Sequence, residues 1–302
     1  MSRLVPCRIL FAALALVLAV SADLVRACPF CSAVSQTLSE EIASMDTVVI
    51  AELVRVPPRP KDAGGAPAKA LFTIREVLKG ESHLRDQRQL ELLFYGKAEP
   101  GDRFLIQGVD PPELMWSTPL KLSERAIEYV RMLPKLPAKG PQRLAFFWKY
   151  LEDREDWLAR DAYDEFARAP YDVVKAAKGV YDHDQLVRWI LDPDIPASRR
   201  RLYFTLLGVC GTKADNGLLE RLLRSSDKKD KAGLDALAAC YLTINGTDGL
   251  PLLEELYLKN AEADYGETYS VIQAIQFHGD SAKDLPRERL LVSLRMVLDR
   301  PA

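Results

Sequence analysis

Gly179, Gly211, Gly246 and Gly279 fall at successive intervals of 32, 35 and 33 residues, each between one apolar helical run and the next. The runs that follow repeat a leucine doublet, Leu218-Leu219, Leu252-Leu253 and Leu290-Leu291. One helix pair cannot bury such doublets alone, whereas a stack of pairs can. Glycine takes the left-handed conformation without steric cost, so each of the four is expected to end a helix. The periodicity predicts helix pairs at 142–152 with 156–168, 171–178 with 183–191, 197–209 with 214–224, 231–244 with 249–259, and 266–277 with 286–299.

Before residue 123 the period is that of strands. Thr47 to Val56 is apolar and β-branched and ends at Pro57-Pro58, after which a Pro/Gly/Ala/Lys stretch to Lys69 reads as an exposed loop. Further strands are expected at Ala70 to Val77, Leu90 to Tyr95 and Arg103 to Gly108, with a fifth from Trp116 to Leu120. Short strands at this spacing suggest a small barrel or sandwich. Ser123 to Ala126 opens a connector helix, and Leu133-Pro134 through Gly140-Pro141 reads as a linker.

Several features of residues 28–122 resemble the netrin-like domain family, which includes the tissue inhibitors of metalloproteinases and shares an OB-type barrel. They are a cysteine directly after a leader, a short amphipathic helix, the strand Asp46 to Val54, and the motif FTIREVLKG at Phe72 to Gly80. The rear half is similar to HEAT-type helical repeats. The expected fold class is therefore α+β, a small OB-like β-barrel followed by an all-α HEAT-like solenoid. Its parts are residues 1–27 as signal peptide, 28–122 as β domain, 123–140 as connector and linker, and 141–302 as helical repeats.

Arg3 and Arg8 precede a twelve-residue apolar run from Ile9 to Val20, and Val25-Arg26-Ala27 stands directly before Cys28. The run is too short to span a bilayer, so a cleaved export signal is expected, with Cys28 as first mature residue and a secreted or periplasmic location. A lipid anchor on Cys28 would also suit an Ala-Cys junction, but Arg26 disfavours it. Removing residues 1–27 lowers Lys plus Arg from 41 to 38 and Asp plus Glu from 43 to 42, a net charge of −4. That balance carries no footprint for nucleic acid. No second apolar stretch approaches spanning length.

Four cysteines remain, and an even count outside the cytosol permits disulfides. Cys28 with Cys31 and Cys210 with Cys240 is the preferred pairing; the alternative for the second pair is two free thiols buried as small apolar groups. Cys28-Pro29-Phe30-Cys31 has reactive potential only if a helix begins near Ser32, where its dipole would favour thiolate. Thr37 and Glu40 instead mark a capping box for a helix that starts later. The family resemblance implies a second role for Cys28, chelation of a target protease's zinc. Against it stand the Cys-x-x-Cys spacing and the lack of any cysteine between Cys31 and Cys210 to hold the terminus on the barrel.

Metal sites need convergent ligands, and His83, His183 and His278 are far apart in sequence. Asp182-His183-Asp184 stands at a helix start, where its acids cap amide groups. Glu152-Asp153 and Glu254-Glu255 are expected on solvated helix faces. No nucleophile elbow or phosphate loop occurs, and the sequon at Asn245-Gly246-Thr247 lies at a repeat turn. Phe146, Phe147, Trp148, Tyr150, Trp157, Tyr163 and Phe166 cluster where the halves should meet. They form either a helix-pair core or a binding surface carried by Phe147, Trp148, Tyr150, Trp157 and Tyr163.

These features lead to an exported, non-catalytic binding or scaffold protein with no cofactor and no metal. Its expected partner is a protein or peptide, with no nucleic acid and no transmembrane span. A thiol-disulfide redox protein using Cys28 and Cys31 is the alternative, and a metalloprotease inhibitor acting through Cys28 a third.

Overall fold

The computed structural model describes residues 30–31, 35–56, 69–282 and 286–300. The expected signal peptide, Cys28 and most of the expected Pro/Gly loop lie outside the described residues. The fold is α+β, an antiparallel sheet followed by helices.

A short helix α1 (Leu38–Ser44) leads into strand β1 (Thr47–Arg55). Next come β2 (Lys69–Lys79), a single helical turn α2 (Glu81–Leu84), β3 (Gln89–Leu93) and β4 (Arg103–Val109). The expected fifth strand is two short pieces, β5 (Met115–Trp116) and β6 (Leu120–Leu122), both paired with β4. Pro119 between them has no N–H to donate to a ladder.

The strand order is β3-β2-β1-β4-β5, with β6 also on β4. In the centre, Ile50 faces Glu76 on one side and Leu105 on the other. Irregular register between β1 and β2 marks bulges that bend the sheet. At the end of β2, Gly80 turns the chain with φ +74°, and a Cβ there would lie 2.0 Å from the Asp46 carbonyl oxygen. Only glycine fits.

Because both faces of β1 are covered, its sequence is a near-continuous apolar run. Val49, Ala51 and Leu53 join Phe72, Leu90, Phe104 and Ile106 in a core of the sheet's own. There Phe72, Phe94 and Phe104 meet edge to face at 5.3 to 6.1 Å. Burying each such ring stabilises by about 2 kcal/mol. Val48, Ile50, Leu105 and Leu122 point the other way, into the core of the helices.

The helical half opens with α3 (Glu124–Met132), capped by the Ser123 hydroxyl on the Ala126 N–H. Its Ile127, Tyr129 and Val130 are buried among those sheet residues. Then follow α4 (Pro141–Trp148), α5 (Asp156–Arg168), α6 (Tyr171–Ala176), α7 (His183–Leu191), α8 (Ala197–Cys210) and α9 (Asn216–Arg224). The chain ends with α10 (Leu234–Asn245), α11 (Leu250–Leu253) running into a π turn at Glu254–Leu258, α12 (Tyr265–Ser281) and α13 (Arg287–Arg295). Helix α10 packs between α8 and α12. All its residues from Leu234 to Leu242 are buried, as expected of a helix covered on every side.

Of the spaced glycines, Gly211 and Gly246 end helices as expected, and Gly179 and Gly279 do not. Gly246 alone of the four has positive φ, at +63°. Gly211 ends α8 with an ordinary φ of −69°, and Gly179 lies within a 3-10 turn. Gly279 sits inside α12, where a Cβ would come within 2.8 Å of Leu290 Cδ1. There the missing side chain lets α13 approach. No helix among the described residues is long and apolar enough to cross a membrane.

Candidate functional site

The two halves meet at a cluster of charged side chains on α5. Asp161 is 7 % exposed. Its Oδ1 accepts the Leu38 N–H at 2.6 Å, and its Oδ2 accepts the Tyr129 hydroxyl of α3. Burial pushes its carboxyl up to about 6, against the downward pull of those two donors. One turn on, Glu165 receives Arg143 of α4 in a two-pronged pair at 2.8 and 2.6 Å, and the guanidinium lies over the Phe147 ring. At the end of α5, Arg168 donates to the Ser35 carbonyl at 2.9 Å and to Glu40 at 3.1 Å.

Both ends of α1 are therefore fixed. The Thr37/Glu40 capping box is present, with Thr37 Oγ1 accepting the Glu40 N–H at 3.3 Å and Glu40 accepting the Thr37 N–H at 3.1 Å. At the other end Lys79 donates to the carbonyls of Ile42 and Ala43, where a cation suits the helix dipole. A cleft of about 220 Å³ lies between Thr37, Glu40, Gly140, Arg143, Arg168 and Val173. A shallower hollow of about 400 Å³ adjoins it across Glu40, Ala138 and Arg143, floored by Ile42, Leu78 and Leu133. Glu40, Arg143, Glu165 and Arg168 are spent on one another and on backbone. They hold elements together.

The aromatic cluster is core, which corrects its reading as a binding surface. Phe147, Tyr150 and Tyr163 are at most 8 % exposed, and Trp148 and Trp157 are half-buried. Tyr129 of α3 fills the middle, 4.7 Å from Tyr150 and 5.3 Å from Phe146. On the far side Trp148 meets Trp189 of α7 at 5.0 Å, and Trp189 meets Tyr203 of α8 at 4.8 Å. Helix α4 is covered from both sides, so its aromatic run cannot line an open groove. Tyr129, Trp189 and Tyr203 escaped the sequence reading because each is one aromatic residue in a different segment.

Cys31 is disulfide-bonded. The preferred bond between Cys210 and Cys240 is absent: both are free thiols, on the neighbouring helices α8 and α10. Burial raises both pKa values, furthest for Cys240, so they pack as small apolar groups. With α1 beginning at Leu38, its dipole is not at Cys31.

Phe30, 7 % exposed, stands edge-on to Phe277 of α12 at 5.0 Å. Phe277 in turn stands edge-on to Tyr171 of α6 at 5.1 Å. No sequence pattern pointed to this contact.

Asp182 caps α7 as expected, accepting the Gln185 N–H at 2.9 Å. The His183 imidazole lies between Asp184 at 3.1 Å and Asp215 at 2.7 Å, and these carboxylates raise its pKa. His278 is buried, its Nε2 has no hydrogen-bond partner among the described residues, and desolvation lowers its pKa. His83 lies on α2. Among the described residues no three His, Cys, Asp or Glu side chains are grouped to hold a metal ion.

The paired carboxylates are less solvated than expected. Glu152 accepts Arg199 and the Tyr203 hydroxyl, Asp153 accepts Arg125, and Glu254 accepts Arg289 and Ser293. Glu255 alone of these is mainly in solvent. Asn245 of the sequon exchanges amide hydrogen bonds with Asn216, each at 2.9 Å. Comparison with protein families, curated proteins and solved structures found no match.

Proposed function

We propose that this is an exported, non-catalytic binding protein whose helical half receives a protein or peptide partner. In this reading the sheet is an OB-type barrel of the netrin-like kind, and the helix pairs are a HEAT-like stack. The observation that carries it is the use of the ionisable side chains at the junction. Asp161, Arg143, Glu165 and Arg168 are each tied to a neighbouring element, so their chemistry is that of a strut. Repeated helix layers give a broad rigid surface, the property that suits helical repeats to binding. An export signal would place that surface outside the cytosol.

Redox exchange at Cys28 and Cys31 has less support. A reactive thiol needs a cationic or dipolar setting, and the nearest described helix starts seven residues after Cys31. The test is affinity capture from the envelope fraction with the exported protein as bait, beside a bait altered on α12. A specific partner lost with the altered bait supports the proposal; equal recovery by both baits, or none by either, contradicts it.

A further inference from the structure

The contact of Phe30 with the helical half has the form of a peptide in a receptor seat. The seat is built from well-packed parts. Tyr171 of α6 carries Lys175 Nζ 5.1 Å above its ring. Phe277 of α12 stands at 74° to Tyr171. The occupant is of another kind: Phe30 and Cys31 form a turn and bend, and residues 35–37 have no regular structure. It gives the seat one aromatic side chain and, five residues on, the Ser35 carbonyl to Arg168. Neither contact depends on a helix or strand in the occupant.

We infer that the Phe277/Tyr171 seat, with Arg168, is a binding site for an irregular peptide segment presenting a phenylalanine or tyrosine, and that the chain's own Phe30 holds it as a competitor in cis. This rests on the reading of the helical half as a binding surface and names its partner class. An extended partner can reproduce the ring contact and the carbonyl contact together, which a small aromatic molecule cannot. A tethered occupant faces its seat at an effective concentration on the order of millimolar, so it lowers the apparent affinity of any free competitor.

The test uses the purified exported protein and a fluorescent synthetic peptide of residues 28 to 38, followed by anisotropy. The variant Phe30→Ala should bind the peptide at least tenfold more tightly than the wild type. Adding Phe277→Ala should abolish binding, Arg168→Gln should weaken it, and a peptide with alanine at position 30 should not bind. Should Phe30→Ala not fold, Phe30→Leu serves, with the same ordering expected. A folded variant that binds no peptide, or binding unchanged by Phe277→Ala, overturns the inference. So does a wild type that is a dimer dissociated by Phe30→Ala, because the occupant would then be a second copy. Peptide binding without partner capture would remove the proposed function and leave the seat; capture without peptide binding would do the reverse.

Discussion

Asp161 on α5 accepts the backbone N–H of Leu38 at 2.6 Å, joining a carboxylate of the helical half to the first residue of the helix that precedes the sheet. The same carboxylate receives the Tyr129 hydroxyl from α3. Three elements distant in sequence thus meet at one buried acid.

That acid makes the protein's stability depend on pH in a direction opposite to that of most carboxylates. Its folded pKa, about 6, is above the ordinary aspartate value of 3.8. Its contribution is therefore full below about pH 4 and is lost as pH rises through 6, by about 3 kcal/mol in all. Urea unfolding at pH 4.5, 6 and 7.5 should show this component in the wild type and not in Asp161→Asn. Asp161→Ala, which orphans the Leu38 N–H and the Tyr129 hydroxyl, should cost about 2 to 4 kcal/mol at pH 7.5 and more at pH 4.5, where the titration component adds to it.

His278 works the other way. Its folded pKa is depressed by burial, so its contribution is full above the ordinary histidine range near 6.5 and is lost as pH falls through the lowered value. His278→Met keeps the volume and removes the titration. The variant should lose less stability than the wild type between pH 7 and 5, read from the same urea midpoints.

Arg143 and Glu165 form a desolvated pair, with side chains 15 % and 7 % exposed. Removing one partner strands a buried charge, so Arg143→Met and Glu165→Leu should each cost about 3 kcal/mol. The double replacement should recover most of that loss. Thermal unfolding of the four proteins in a double-mutant cycle measures the coupling.

The two free thiols should be inert. Cys240 is buried and Cys210 half-buried, both with raised pKa values. An aromatic disulfide reagent should leave Cys240 unmodified in the native state and label both thiols in guanidinium. Mapping without reduction should recover no peptide linking them.

What was legible in the sequence was what a local pattern dictates. Thr37 and Glu40 announced the start of α1 because a capping box is complete within four residues. The helices followed from apolar periodicity, and β1 from its β-branched run. Which element covers which face was not legible. A pattern at Glu152 or Glu254 states that a helix has a polar side, but the basic partner, Arg199 or Arg289, comes from another helix. The same limit hid the aromatic core, whose middle residue Tyr129 lies outside the cluster visible in sequence, and the seating of Phe30 on α12. Glycine spacing did not disclose what each glycine does, since Gly279 serves a close helix contact and Gly246 a left-handed turn.

Site-directed photocrosslinking in living cells tests the proposed binding role most directly. A benzophenone side chain at Gln276, exposed on α12 beside Phe277, should yield one discrete crosslinked protein, and the same group at exposed Arg221 on α9 should not. Absence of product at Gln276, or an identical set of products at both positions, would contradict a docking surface on this face.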